Sequence, residues 1–500
     1  MSFKSDQKSN KYIDGAGLFV ISSILSFAIM IVTLPIYTRL LSPEEYGITI
    51  VFLIFGKLVT GFFHFSLHDA TYRFYFEYSK INLFKQLNSS NFLFIIISFL
   101  LCYLACSLAS SLFYEKIFDG KLDPYLIKLS LISGFLDYFL LYLMTLLTAQ
   151  LRAKEHALFS ILLITLNTAF SIFFMSYYSL SYMGRIYGII TAQLITLVLL
   201  LRSCSNTFSF LISVKMLKKS FKYAIPYYPI MLLGLSSNYL DKTMISSSRG
   251  NAALGQYSVG VSFANILKTI MDSVSKSWNA FMIAEALKNT EESKKNIVDK
   301  FYYMAVFFMI LGLGITYFSE EAIKILTTPE YHKAIWITPI YIYFYLFAIM
   351  GYLTNMQLSV AKKMKFLIPG TIASGTTNVI LNITLIPIYG MMGAAIAAAG
   401  TSLISQLFLF YYGMKVFPLD INKKKLLKLF IILMFFTLPA YILYAQDIHF
   451  VLKIMVKLIG VYLFIKICIF LKFIDKHYVL SILDDYKYLN KMKPALNKIF

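Results

Sequence analysis

The sequence predicts an all-α membrane protein with about 14 transmembrane helices: two pseudo-symmetric six-helix lobes, related as parallel repeats, plus two extra C-terminal helices. Three observations point there. The 500 residues are 58% hydrophobic and 14% charged, with a mean hydropathy of +0.69, too apolar for a soluble chain of this length. Apolar runs of about 20 residues, enough to cross roughly 30 Å of hydrocarbon, recur about fourteen times. The chain also resembles itself at an offset of about 205 residues, a self-similarity common in transporters.

The polar opening, residues 1–14, precedes a full-length apolar run with no small-residue cleavage site, so it reads as a cytoplasmic N-terminus and not as a removable signal. Spans one to six, centred near Leu25, Gly56, Ser98, Leu140, Ile164 and Gln193, make an N-lobe over 15–202. A basic cytoplasmic connection, 203–222, carries Lys215, Lys218, Lys219 and Lys222. Spans seven to twelve, centred near Leu232, Phe263, Phe308, Tyr345, Thr377 and Gly400, make a C-lobe over 223–415. Pro369, Gly370 and Gly375 interrupt span eleven, which predicts a kinked or broken helix there. Spans thirteen and fourteen, near Leu433 and Leu463, occupy 424–472 and leave 473–500 as a cytoplasmic tail.

The repeat rests on polar and glycine positions. Tyr37-Thr38-Arg39 ends span one and Leu240-Asp241-Lys242 ends span seven; Leu147-Thr148-Ala149-Gln150-Leu151 closes span four and Leu353-Thr354-Asn355-Met356-Gln357-Leu358 closes span ten; Gly188 and Gly393 open spans six and twelve. Lys57 follows Tyr46 by the interval at which Lys268 follows Tyr257. An even number of spans per half makes the repeats parallel, and two such lobes should face one another across a shared vestibule.

A formal charge of +21 invites a nucleic-acid reading, but the charge is distributed as a membrane protein distributes it. About 31 Lys and Arg fall in the termini and even-numbered connections against about 9 in the others, which orients both termini to the cytoplasm. Lys423, Lys424 and Lys425 read as anchors beside anionic lipid. Cys102 and Cys106, one helical turn apart inside a span, read as packing residues. No CxxC, HExxH, P-loop or GxSxG spacing occurs, so no metal, cofactor or nucleophile is expected.

Candidate functional residues are the charges inside the spans. A lysine at mid-bilayer costs a few kcal/mol, roughly 3, and faces a wet cavity or a partner. Lys57 and Lys268 are the deepest. On span two, Lys57, Gly61, His64 and His68 recur at helical spacing and should share a face; on span eight, Lys268, Asp272 and Lys276 do the same. Lining opposite walls, these stripes would make a cationic cavity, although Lys268 and Asp272 could equally pair with each other. His68, Asp69, Arg73 and Lys276 lie near cytoplasmic ends, where snorkelling serves as well as function. Asp137, Asp241, Asp272, His64 and His68 are candidates for ion or proton coupling, since buried carboxylates and histidines carry protons. Asp241 and Lys242 are adjacent and point apart. Lys457 and Lys466 stand oddly in span fourteen, as snorkelling residues or headgroup contacts.

The segment Leu34-Pro35-Ile36-Tyr37-Thr38-Arg39-Leu40-Leu41-Ser42-Pro43-Glu44-Glu45-Tyr46-Gly47 resembles the first-span signature of the Wzx-type polysaccharide-unit flippases of the multidrug/oligosaccharidyl-lipid/polysaccharide exporter superfamily. Gln150-Leu151-Arg152-Ala153-Lys154-Glu155, Tyr223-Ala224-Ile225-Pro226 with Pro229, Asn378 to Asn382, and Leu385-Ile386-Pro387-Ile388-Tyr389-Gly390 with Gly393-Ala394-Ala395 agree with it, over about Gly15 to Lys472. The resemblance implies a flippase in a bacterial cytoplasmic membrane that carries an undecaprenyl-diphosphate-linked oligosaccharide, of O-antigen or capsule type, to the outer leaflet by alternating access. It implies H+ or Na+ coupling, a polysaccharide polymerase and chain-length regulator as partners, a cationic cavity for the diphosphate, and two extra helices associated with the lipid tail. By the matched motif, Arg39 and Lys242 join Lys57, Lys268, Lys276 and Arg73 as substrate-binding candidates. A lipid II flippase and a drug antiporter of the same superfamily are alternatives, the antiporter disfavoured by the lysine stripes. A glycan polymerase or ligase would need a large outside loop, and the stretch from Ser319 to Lys333 is short. A non-transporting assembly scaffold would leave the paired lysines unexplained.

Overall fold

The computed structural model describes residues 31–78, 83–108, 123–209, 211–446 and 448–474, with Leu25 and Ala28–Ile29, apart from the side chains at 227, 230, 236–238, 276, 277 and 280. The expected N-terminal segment, most of span one and most of the C-terminal tail lie outside the described residues.

Every described element is helical. The helices are α1 (Ile31–Leu40), α2 (Pro43–Phe63), α3 (Leu67–Tyr78), α4 (Leu83–Leu108), α5 (Pro124–Ala149), α6 (Ala153–Tyr177), α7 (Ser181–Cys204), α8 (Val214–Ala224), α9 (Tyr228–Arg249), α10 (Asn251–Lys288), α11 (Glu291–Leu326), α12 (Ile337–Val360), α13 (Leu367–Tyr389), α14 (Met391–Val416), α15 (Lys423–Ala445) and α16 (Phe450–Phe470), with short 3-10 turns between some of them. Every predicted span centre after Leu25 falls on one of the long helices. Ten are long and apolar enough to cross a membrane, so the chain is a multi-pass membrane protein. α9 and α10 fall below that level of apolarity, with Asp241, Lys242, Lys268 and Asp272 along them, and α16 carries three lysines.

Span eleven departs from expectation. α13 runs unbroken because Pro369 is its third residue, where the missing N–H has no intrahelical partner to lose. Its end is set by Gly390 at φ +58°, a left-handed conformation that glycine adopts without strain. The start of α2 is equally explicit: Ser42 and Glu45 form a reciprocal capping box, with Pro43 in the first turn.

The described chain forms two compact units, one within 1–258 and 382–394, the other within 259–381 and 395–500. In the first, α2 and α5 meet at two glycines. A Cβ on Gly56 would lie 2.3 Å from the Ser130 carbonyl oxygen, and one on Gly134 2.5 Å from that of Gly56. Gly134→Val is therefore expected to force the helices apart, costing about 1–3 kcal/mol, visible as a lower thermal midpoint in detergent.

Each unit carries the same stitch. In the first, the Ser130 hydroxyl of α5 donates to the Phe52 carbonyl of α2; in the second, Thr338 of α12 donates to the Gly260 carbonyl of α10 at 3.0 Å, both positions 208 residues further along. A hydroxyl returned to the same place on the partner helix fixes the register of the repeat more finely than matched sequence words do.

Candidate functional site

Five residues beyond the stitch on α2 and seven beyond it on α5 lies the Lys57–Asp137 ion pair, joining the two helices at 3.1 Å. Its side chains stay 40% and 41% exposed although both helices are apolar on either side. In the second unit the positions 208 residues on are Asn265 and Tyr345, and the Tyr345 hydroxyl donates to the Asn265 side-chain Oδ1. The lysine's structural counterpart is thus an asparagine. Lys268 stands about one helical turn further along α10, where it pairs with Asp272 of its own helix at 2.5 Å, both half exposed. The Tyr352 hydroxyl reaches Asp272 and Ser275 from α12. Lys57 and Lys268 are therefore each matched to a carboxylate, Lys268 to the Asp272 that the sequence offered as its partner.

The histidine stripe is corrected. α2 ends at Phe63, His64 caps it, and Phe65 and Ser66 turn the chain at φ 49° and 51°, so His68, Asp69 and Arg73 belong to α3 and do not continue the face of Lys57. His64 is buried and stacks on Tyr138 of α5 at 4.1 Å, accepting from the Ser66 N–H through Nδ1. His68 faces the Tyr138 hydroxyl at 3.3 Å and Asp69 at 3.6 Å. Both histidines gather around the residue next to Asp137. Arg73 is exposed, 3.9 Å from Glu77.

Asp241 is buried on α9 and accepts from the Tyr257 hydroxyl at 2.6 Å and from the Lys242 N–H at 2.8 Å. The Lys242 ammonium stands 5.5 Å from the Tyr239 ring centre. Arg39 is exposed at the end of α1. The Lys276 side chain lies outside the described residues. The Gln150 to Glu155 segment forms the α5–α6 turn: Leu151 takes φ 58°, and Arg152 donates to the Ser203 hydroxyl at 2.6 Å and to the Glu155 carboxylate at 2.6 Å, which holds its guanidinium above its usual pKa.

Sequence reading missed Arg185. Its guanidinium is buried in α7 between the rings of Tyr37 and Tyr46, 4.6 and 4.4 Å from their centres, and donates to Thr49 at 2.8 Å. The signal was present as a lone arginine following a glycine at the mouth of span six. A lysine is a point charge that cannot cover two rings, so Arg185→Lys is expected to lower the thermal midpoint by loosening α1 and α7 from α2, at about 0.5–2 kcal/mol.

Also missed were Glu320 and Glu321 of α11. They take both buried lysines of α16: Lys457 sits 3.1 Å from Glu320 and 2.6 Å from Glu321, and Lys453 3.0 Å from Glu320. Lys457 therefore neither snorkels nor meets a headgroup, whereas Lys466 is partly exposed with its ammonium 5.6 Å from the Tyr462 ring centre.

In the second unit α12, α14 and α15 enclose an apolar groove of about 490 Å³. Phe347, Leu407, Phe410, Phe430 and Met434 line it, with Lys423 its one charged residue. Cys102 and Cys106 stand 3.9 Å apart as free thiols. Among the described residues no group of acids, histidines and cysteines is arranged to hold a metal ion.

The sequence matches a family described as polysaccharide biosynthesis protein over residues 36–336. No curated protein matches it. Among solved structures, the lipid II flippase MurJ in an inward closed conformation superposes with a TM-score of 0.69 at 17% identity, covering 91% of this chain and 98% of that one. An inward-facing multidrug resistance transporter of the MATE family, in the MOP superfamily, gives 0.61 at 12% identity, covering 79% and 94%. A MOP superfamily transporter from Pyrococcus furiosus gives 0.56 at 14%, covering 82% and 96%. At these identities the likeness is one of fold.

Proposed function

Because the chain belongs to the polysaccharide biosynthesis protein family and has the fold of flippases and transporters, we propose that it moves an undecaprenyl-diphosphate-linked oligosaccharide repeat unit, of O-antigen or capsule type, from the cytoplasmic to the outer leaflet of a bacterial cytoplasmic membrane by alternating access. The observation that carries this reading is the half-exposed Lys57–Asp137 pair. A charge pair that neither packs into a core nor reaches a helix end needs water or a polar ligand at membrane depth.

A diphosphate bears about two negative charges and takes a lysine ammonium through short charge-assisted hydrogen bonds. Lys57 can exchange its carboxylate partner for phosphate, so Asp137 competes with the substrate for the ammonium and is the candidate coupling group. Asp137→Asn should free the Lys57 ammonium and tighten binding of the diphosphate; an unchanged affinity in Asp137→Asn rules out this exchange. Lys268 and Asp272 offer the same exchange in the second unit. Lys242, Arg39, Arg73 and Lys276 supply further positive charge, and the apolar groove beside α15 suits an isoprenoid chain.

The test is a strain lacking its own repeat-unit flippase, scored for lipid-linked repeat units held on the cytoplasmic face and rescued by this chain. Rescue of surface polysaccharide is the expected result, and failure in every such strain sinks the reading. The likeness to a lipid II flippase favours a second reading, export of a lipid-linked peptidoglycan precursor. Rescue of a strain depleted of that activity, without rescue of surface polysaccharide, would select it.

A further inference from the structure

α16 carries Lys453, Lys457 and Lys466 in 21 residues, more charge than a helix left against lipid tolerates. Two of the three are withdrawn from the surface. Lys457 is 0% exposed and Glu320 3%. The spacing of Lys453 and Lys457 puts both on one face of α16, and Glu320 and Glu321 meet that face from the C-terminal part of α11. Lys324, half exposed one turn along α11, adds a third cation to Glu320 at 2.8 Å.

The surrounding contacts bind α15 and α16 to the same stretch of α11. The Tyr444 hydroxyl of α15 donates to the Thr316 carbonyl and lies 3.0 Å from the Ser319 hydroxyl. The Tyr317 hydroxyl donates to the Phe436 carbonyl at 2.5 Å. Gly460 of α16 lies so near Tyr317 that a Cβ there would stand 2.6 Å from the Tyr317 hydroxyl oxygen.

Buried ion pairs give up hydration that their attraction only partly repays, and their best-attested use is to fix one register. A cluster in which two lysines of one helix share two adjacent carboxylates of another is satisfied in one alignment. Sliding α16 by a turn in either direction would carry one of its two lysines past the carboxylates and leave it without a counter-charge.

We propose that Glu320, Glu321, Lys453 and Lys457 are positioning residues that fasten the α15–α16 pair to α11, so that the pair keeps one place on its unit throughout transport. The groove that α15 closes with α12 and α14 is then a permanent seat for the lipid chain, and is not rebuilt at each step. The identity of that occupant rests on the flippase reading; the fastening does not.

The experiment uses the full chain with Cys102, Cys106, Cys204 and Cys468 replaced by serine. Tyr317→Cys and Gly460→Cys are joined in membranes by a short bifunctional thiol reagent. Transport of lipid-linked oligosaccharide should be unchanged by the bridge. Transport lost on bridging and regained on cleaving the bridge would show α16 moving against α11 and overturn the proposal. A second readout needs no transport. Glu320→Gln with Glu321→Gln should lower the bridging yield several-fold, and adding the exchange Glu320→Lys, Glu321→Lys, Lys453→Glu, Lys457→Glu in place of the glutamines should restore it. A yield that the glutamines leave unchanged, or that the exchange fails to restore, would take the fastening away from these charges. A chain that flips no lipid-linked oligosaccharide but gives the expected yields would defeat the proposed function and leave the fastening standing.

Discussion

Lys57→Ala combined with Lys268→Ala is expected to abolish surface polysaccharide while the chain still inserts in the membrane. Each ammonium is worth about 1.5–3 kcal/mol as a charge-assisted hydrogen-bond donor, so each loss should weaken substrate binding by roughly 10- to 150-fold. The two single variants should differ. Lys57 reaches across from α2 to α5, so removing it strands Asp137 on the partner helix as well as removing a donor. Lys268 pairs within α10, where an exposed pair of this spacing contributes only about 0.3–0.5 kcal/mol to the helix itself. Lys57→Ala should therefore be the more damaging, and Lys57→Ala with Asp137→Asn should recover expression without recovering transport. Normal polysaccharide from the double lysine variant, at normal protein levels, would remove both lysines from the substrate path.

Lys457→Met should be the most destabilising single change in α16. It leaves two carboxylates buried with Lys453 and the half-exposed Lys324 as their remaining counter-charges, and breaking a buried pair from one side costs about 3–5 kcal/mol. Replacing all four of Glu320, Glu321, Lys453 and Lys457 by methionine should return most of that loss, because apolar residues of similar volume carry no desolvation cost. Lys466→Met is the internal control. That ammonium is partly exposed beside Tyr462, and its loss should move the thermal midpoint little. A Lys457→Met chain as stable in detergent as the parent would mean that the cluster is not closed as described.

Helix positions were legible because apolar run length is a local property: Gly56, Leu140, Phe308 and Leu433 all lie within the helices predicted around them. The break after α2 was not legible. Phe65 and Ser66 take left-handed conformations with no glycine or proline to announce them, so the histidines seemed to continue a face that had already ended. Proline in span eleven misled for the opposite reason, since its effect depends on its distance from the helix start. At the candidate site the sequence marked Lys57, Asp137, Lys268 and Asp272, but the pairing within each unit needs three dimensions. The repeat register was blurred because the counterpart of the Lys57–Asp137 pair is Asn265 with Tyr345, the same polar contact in different residue types. Glu320 and Glu321 escaped notice because they sit at the end of a long apolar run, where a carboxylate reads as a boundary. Only the fold brings them to lysines far along the chain.

Leaflet exchange in vesicles measures whether this chain carries a lipid-linked oligosaccharide across the bilayer. The purified full chain, reconstituted with an undecaprenyl-diphosphate-linked oligosaccharide bearing a label on its sugar, should expose inner-leaflet label to an added glycosidase at a rate that falls sharply in the Lys57→Ala, Lys268→Ala variant. Exposure no faster than in protein-free vesicles, or equally fast in the parent and the variant, would contradict such transport.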